Sequence, residues 1–216
     1  MIRTSIFLAI PLALAAQPNV LLDNEDVRVV LSAPNKPGPK GRRHKHDMNR
    51  VMIYQDAGWS RLTFDGGRVK DIKFKAGEVL WDTAGEYHTS ENPGTTPYRL
   101  IEVELKKPHG VPVTFGAIDP PKVAPDKYKV LIDNDQVRVI RFHCGPRAKM
   151  PMHDHSLPRV TVYLTDFHMK VTKADGSVVE AKQKAGDVTF AQPAKHSEES
   201  QRDQDSEVIA IELKKK

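Results

Sequence analysis

Six histidines of this 216-residue chain fall into two sets of the same shape. His44 and His46 are separated by a single residue, and His88 follows far along the chain. His153 and His155 repeat the pair, and His196 follows them in turn. On a β-strand, side chains at i and i+2 point to one face, about 7 Å apart at a rise of ~3.3–3.4 Å per residue. Two imidazoles can lean together across that gap, and a third from a neighbouring strand would close a facial set of nitrogen donors. Neutral imidazole suits zinc, copper, iron and nickel. Three protein ligands leave positions open for water or substrate, as a catalytic metal requires. A lone histidine is more readily structural; an H-x-H pair with a matching third histidine, found twice, points to metal.

An arginine follows each pair at the same spacing. Counting by twos from His44 gives His46, Met48, Arg50, Met52 and Tyr54, and from His153 it gives His155, Leu157, Arg159, Thr161 and Tyr163. On a regular strand all of these share the metal-facing side. A guanidinium is always protonated and has no acceptor, so it cannot ligate a metal. At about 5–6 Å, two like unit charges repel by ~3 kcal/mol at an effective dielectric near 20, and a divalent ion doubles that. An anion between them would relieve the cost. Arg50 and Arg159 are therefore candidate catalytic residues, each forking onto the carboxylate or enolate of a substrate. The bland alternative has each arginine pointing outward or paired with a neighbouring acid, and the site free of metal. Tyr54, Tyr163 and Trp81 read as core or pocket-wall aromatics, Asp82 and Glu86 as loop acids, and His109, His143 and His168 as structural or exposed.

A duplicated β framework must position these residues. VLLDNEDVRVVL at 20–31 is answered by VLIDNDQVRVIR at 130–141, AGEV at 76–79 by AGDV at 185–188, and LIEVELKK at 100–107 by VIAIELKK at 208–215. The period is a whole domain, not a solenoid unit. Apolar and polar residues alternate over 27–31, 137–141 and 100–105, and less strictly over 161–164, which predicts strands. Asp65-Gly66-Gly67 and Asp175-Gly176 read as hairpin turns. No stretch holds a helical period. Many short strands split by Gly and Pro predict an all-β chain with sandwich or jelly-roll packing, each half able to bury one small barrel core. Between them, prolines at 108, 112, 120, 121 and 125 mark a partly extended linker.

The totals narrow the partners. Lys and Arg number 33 against 28 Asp and Glu, a net charge of +5. The basic stretch Lys40–His46 lacks interleaved aromatics and its histidines have a better use, so no nucleic acid is expected. The terminal lysines read as a solvated tail. A single cysteine, Cys144, excludes an intrachain disulfide and reads as a small buried hydrophobe. MIRTSIFLAIPLALAA at 1–16 has a basic start, a short apolar run and small residues at a cleavage position, the pattern of a secretory signal. The run is too short to span a bilayer. The mature chain is expected in the periplasm or secreted, off the membrane; homo-oligomerisation is left open.

With these motifs the chain resembles the cupins, and specifically a bicupin, which implies an all-β fold of two tandem jelly-roll barrels. The family's first motif is G-x5-H-x-H-x3,4-E-x6-G. Gly38, His44 and His46 match it, Arg50 stands where the family has Glu, and Gly58 falls one place late. The second is G-x5-P-x-G-x2-H-x3-N, which Gly77, Gly85, His88 and Asn92 fit at every spacing, with Thr83 for Pro. The second copy is looser: His153, His155, Gly186 and His196 are kept, Arg159 replaces Glu, and one loop residue is missing. Taken with the signal pattern and the proline run, the resemblance divides the chain into a signal peptide at 1–16, cupin domains at 17–107 and 127–216, and a Pro-rich linker at 108–126. It also implies that His44, His46 and His88, and His153, His155 and His196, ligate a divalent transition metal: Fe, Cu, Mn, Ni or Zn. The function implied is a small metalloenzyme, dioxygenase-like or isomerase-like, acting on a small anionic or phenolic molecule. The alternative is a non-catalytic module that binds a small molecule or anion.

Overall fold

The structure is a computed structural model that describes residues 19–38, 40–107 and 110–214. The signal-like segment, His109 and the last two lysines lie outside the described residues. The first half forms β1 (Asn19–Asp23), β2 (Val27–Leu31), β3 (Arg50–Tyr54), β4 (Gly58–Phe64), β5 (Val69–Phe74), β6 (Val79–Asp82), β7 (His88–Glu91) and β8 (Leu100–Leu105). After a single-turn helix α1 (Pro120–Val123), the second half forms β9 (Tyr128–Asp133), β10 (Val137–Cys144), β11 (Lys149–His155), β12 (Arg159–Tyr163) and β13 (Phe167–Lys173). It continues through β14 (Val178–Gln183), β15 (Val188–Ala191), β16 (Ala194–Ser200) and β17 (Ser206–Leu213).

Each half closes a jelly-roll from a large and a small antiparallel sheet. In the first, β1-β2-β8-β3-β6 faces β5-β4-β7; in the second, β15-β12-β17-β10-β9 faces β11-β16-β13-β14. The duplication seen in the sequence is thus a duplication of strand order. β2 and β10 follow the same Asx turn, in which Asn24 and Asn134 side chains accept from the backbone amides two and three residues on. Gly77 and Gly186 hold φ of +77° and +91° at matching turns before β6 and β15, a conformation that favours glycine.

The alternation of the large sheets has a second use. Val27, Val29, Val51, Ile53, Ile101 and Val103 from one barrel share a single core with Val137, Val139, Val160, Val162, Ile209 and Ile211 from the other. The large sheets therefore pack back to back, and their other faces line the two barrel interiors. Tyr54, Phe74, Tyr98 and Leu100 fill the first interior; Phe142, Tyr163, Phe167 and Met169 fill part of the second. Parity thus fixes which residues can meet a ligand: Arg159, Thr161 and Tyr163 face inward while Val160 and Val162 face the partner barrel.

The Pro-rich connection is not merely extended. Asp119 and Pro120 at the start of α1 are buried. Asp119 accepts two hydrogen bonds from Arg138, at 2.9 and 2.6 Å, and the Phe115 ring lies over the same guanidinium at 3.3 Å. The four described prolines of this segment, at 112, 120, 121 and 125, all lie outside the helix or in its first turn, where a missing amide costs nothing.

Candidate metal centres

In the first barrel the H-x-H stretch is not a regular strand. The strand begins only at Arg50, so Met48 drops out of the expected alternation, while Arg50, Met52 and Tyr54 keep it and line the cavity. His44 is held instead by a two-way backbone bridge to His88, at 2.9 and 2.8 Å, and His46 accepts at its carbonyl from the Gly85 amide at 2.9 Å. The motif residue Asn92 ties the surrounding loops, its amide donating to the carbonyls of Asn35 and Thr96 at 2.8 Å. In the second barrel the pair does lie on a strand, β11, and His153 sits directly opposite His196 on β16.

Both triads converge. In each, one ring nitrogen from every histidine lies within 4.8 Å of the others. Ring centroids are 4.6–5.5 Å apart in the first and 4.5–5.5 Å in the second. The three-imidazole donor set fits a divalent transition metal, and burial keeps it in the ligating form. Desolvation lowers the affinity of His46, His88, His153 and His155 for protons, His46 to about 3 with Arg50 adding to the effect.

The hydrogen bonds on the remaining nitrogens separate the two sites. His44 and His88 Nδ1 meet the carbonyls of Arg42 and Glu86 at 2.9 and 3.0 Å. His153 Nδ1 meets that of Pro151 at 2.9 Å, and His155 Nδ1 meets the Glu212 carboxylate at 3.0 Å. These oxygens accept a hydrogen bond from Nδ1–H, which leaves Nε2 unprotonated and free to ligate. His46 is the exception. Its Nδ1 lies 2.9 Å from Arg50 Nη1, which can only donate. A neutral His46 ring therefore carries its proton on Nε2, and an ion in the first barrel must displace that proton or break the arginine bond.

The arginines also differ. Arg50 is buried and inward, but its charge is already met: Nε donates to Asp82 at 2.9 Å, Nη2 lies 2.8 Å from the same carboxylate, and Nη1 bonds Glu102. A substrate anion would have to compete with two carboxylates. Arg159 occupies the same place in β12, yet the residues matching Asp82 and Glu102 are Ala191 and Ala210. The register is the same in both barrels: Arg50 pairs Asp82 where Arg159 pairs Ala191, and Met52 pairs Glu102 where Thr161 pairs Ala210. Among the described residues no carboxylate forms an ion pair with Arg159, whose one hydrogen bond is to the Gln192 carbonyl at 3.4 Å. Burial lowers its hold on its proton, opposed by the more distant Glu198 and Glu212.

The space follows the charge. The first cavity holds about 140 Å³ beside His44, His46, Arg50 and Glu102. The second holds about 530 Å³, with His155, His196, Arg159 and Glu198 set into a wall of Tyr128, Phe142, Tyr163, Phe167 and other apolar side chains. Glu198 and Tyr128 escaped the sequence reading. Glu198 follows His196 at i+2 on one strand, so parity alone placed it on the histidine face; the first barrel has Ser90 there. Asp82 is a partner of Arg50, not a free loop acid. Glu86 is exposed and paired with Arg68 at 2.6 Å. His143 lies 3.1 Å from Asp205, and His168 meets Glu180, both away from the triads. Trp81 packs beside the shared core, outside both cavities.

No protein-family model matches the chain, and no curated protein matches it. Solved structures do. AerE from Microcystis aeruginosa superposes with a TM-score of 0.62 at 13% identity, over 91% of this chain and 96% of that one. A cupin 2 conserved barrel domain protein from Leptotrichia buccalis gives 0.54 at 15% identity, over 92% and 88%. A variant of oxalate decarboxylase from Bacillus subtilis, an enzyme with Mn(II) centres, gives 0.63 at 15% identity, over 88% and 69%. At such identities the shared property is the fold.

Proposed function

On a bicupin fold, two cupin barrels in one chain, we propose an exported metalloenzyme whose C-terminal barrel takes a small organic anion, with dioxygenase-like or isomerase-like chemistry. The observation that carries this reading is Arg159: a half-buried guanidinium with no ion-pair partner among the described residues, lining a roomy apolar cavity together with His155 and His196. A buried charge left unpaired is costly, and an anionic ligand would meet it with a two-pronged bond. The apolar wall suits an aromatic or branched body better than a bare dicarboxylate.

A divalent metal on His153, His155 and His196 would supply Lewis-acid or redox activation of the bound anion. The chain's own residues do the rest. Glu212 and Pro151 hold His155 and His153 with Nε2 presented. Arg159 orients the substrate's anionic end, and Tyr163 and Phe167 keep water from its body. The Tyr128 hydroxyl lies 3.5 Å from His153 Nε2 and 3.4 Å from Glu198, within reach of a proton held at the cavity floor. Manganese is the first ion to offer, since the oxalate decarboxylase relative has Mn(II) centres.

The test is metal analysis of purified protein followed by an oxygen-uptake and product screen over aromatic and aliphatic carboxylates. Stoichiometric metal with turnover, lost in Arg159→Met, supports the enzyme. Metal and anion binding without turnover on any carboxylate would make the chain a binder, and absence of anion binding would overturn the reading. Export rests on the 1–16 segment; the amino terminus of secreted material, read by mass spectrometry, should begin near Gln17.

A further inference from the structure

We infer that Glu198 is a fourth metal ligand of the C-terminal barrel, supplying from the third histidine's strand the carboxylate that Arg159 displaced from the histidine pair's own stretch. This rests on the reading of His153, His155 and His196 as a metal site. Three observations carry it. First, Glu198 sits on the histidine face of β16, and its Oε1 lies 3.5 Å from His196 Nε2. Donors that share one ion at about 2.0–2.2 Å stand about 3.0–3.5 Å apart, so this spacing suits two ligands better than a direct hydrogen bond. Second, its other oxygen reaches Tyr128 at 3.4 Å, and that hydroxyl lies 3.5 Å from His153 Nε2; the carboxylate itself stands just outside the 4.8 Å cluster of the three ring nitrogens, so ligation would draw it inward. Third, this side chain is largely buried, and no lysine or arginine of the described residues forms an ion pair with it. A buried carboxylate calls for a cation, and one placed 3.5 Å from a ring nitrogen of the triad suits a metal ion held between them.

The first barrel is a built-in contrast. Its matching residue is Ser90, its arginine is bonded to His46, and its carboxylates Asp82 and Glu102 are spent on that arginine. The second barrel should therefore fill first and hold its ion more tightly.

The experiment uses the full chain, stripped of metal, and Co²⁺ as the probe. Binding is followed by the cobalt absorption spectrum and by competition with a chelator. A His44→Ala/His88→Ala background silences the first triad so that one site is read. In that background Glu198→Gln, which keeps size and polarity, should weaken cobalt binding by at least tenfold and shift its visible bands, while Glu198→Asp should recover part of both. Matching circular dichroism and melting temperatures confirm that the variants fold. If the background protein binds cobalt and Glu198→Gln binds it equally well with the same bands, the fourth-ligand assignment is wrong. If the background protein takes no cobalt and His153→Ala changes nothing, the underlying metal reading fails instead.

Discussion

The sharpest prediction moves one side chain between barrels. Glu102 neutralises Arg50 from the strand opposite Met52, and Ala210 occupies that register in the second barrel. Ala210→Glu should therefore give Arg159 an internal carboxylate. Ala210 lines the 530 Å³ cavity, so the longer side chain has room. A pair about 4 Å apart at an effective dielectric near 20 attracts by ~4 kcal/mol. Because the new glutamate is tethered, an incoming anion loses most of that attraction, and its affinity should fall roughly 100- to 1,000-fold. The assay is calorimetric titration of metal-loaded protein with benzoate, an aromatic carboxylate suited to the apolar wall. Ala210→Gln is the control for size and should cost only a few-fold. Benzoate binding by Ala210→Glu within threefold of the parent would refute the reasoning. So would a glutamine variant as weak as the glutamate one, which would make the effect steric.

Arg138, Asp119 and Glu212 form a buried trio with side chains 3%, 4% and 0% exposed, so Arg138→Met strands two carboxylates and should cost ~3–5 kcal/mol in a urea titration; a loss below about 1 kcal/mol would show that the acids find other partners. The metal-free protein should weaken in mild acid. Unfolded imidazoles take a proton near pH 6.5, while folded His46 waits until about 3 and His88, His153 and His155 are also lowered, so in that window the unfolded state binds more protons and stability falls as pH falls. Urea midpoints that stay level from pH 7.5 to 5 would contradict this. Cys144 is buried and its thiol is pushed up to about 11, first by desolvation, so it should resist Ellman's reagent at pH 8 until the chain is unfolded.

Much of this architecture was legible in the chain. The strands at 27–31 and 100–105 were marked by alternation and the two barrels by the repeat, because apolar parity is a local property that survives folding. The six histidines announced themselves by spacing. The balance between the sites was not visible in the same way. The copy with the better motif match has the smaller cavity and an arginine already satisfied, whereas the looser copy has the open one. That difference lies in Ala191 and Ala210 against Asp82 and Glu102, residues on strands distant in sequence that meet only through register. Glu198 was hidden for another reason: it lies outside both histidine motifs, although its i+2 relation to His196 was there to be counted. The departure of 45–49 from the strand could not be read either, since the histidine pair there is placed by bridges to 85 and 88 rather than by its own pleat.

The valine and isoleucine faces joined at the middle of the molecule make each half the other's cover. A half expressed alone would carry a broad, flat, greasy sheet with water on it, a surface prone to stick to its own kind. Selection can therefore redraw one interior, its charges and its volume, while the seam forbids shedding the copy whose chemistry has lapsed. A duplicated chain of this build can keep a retired chamber purely as scaffolding for the one in service.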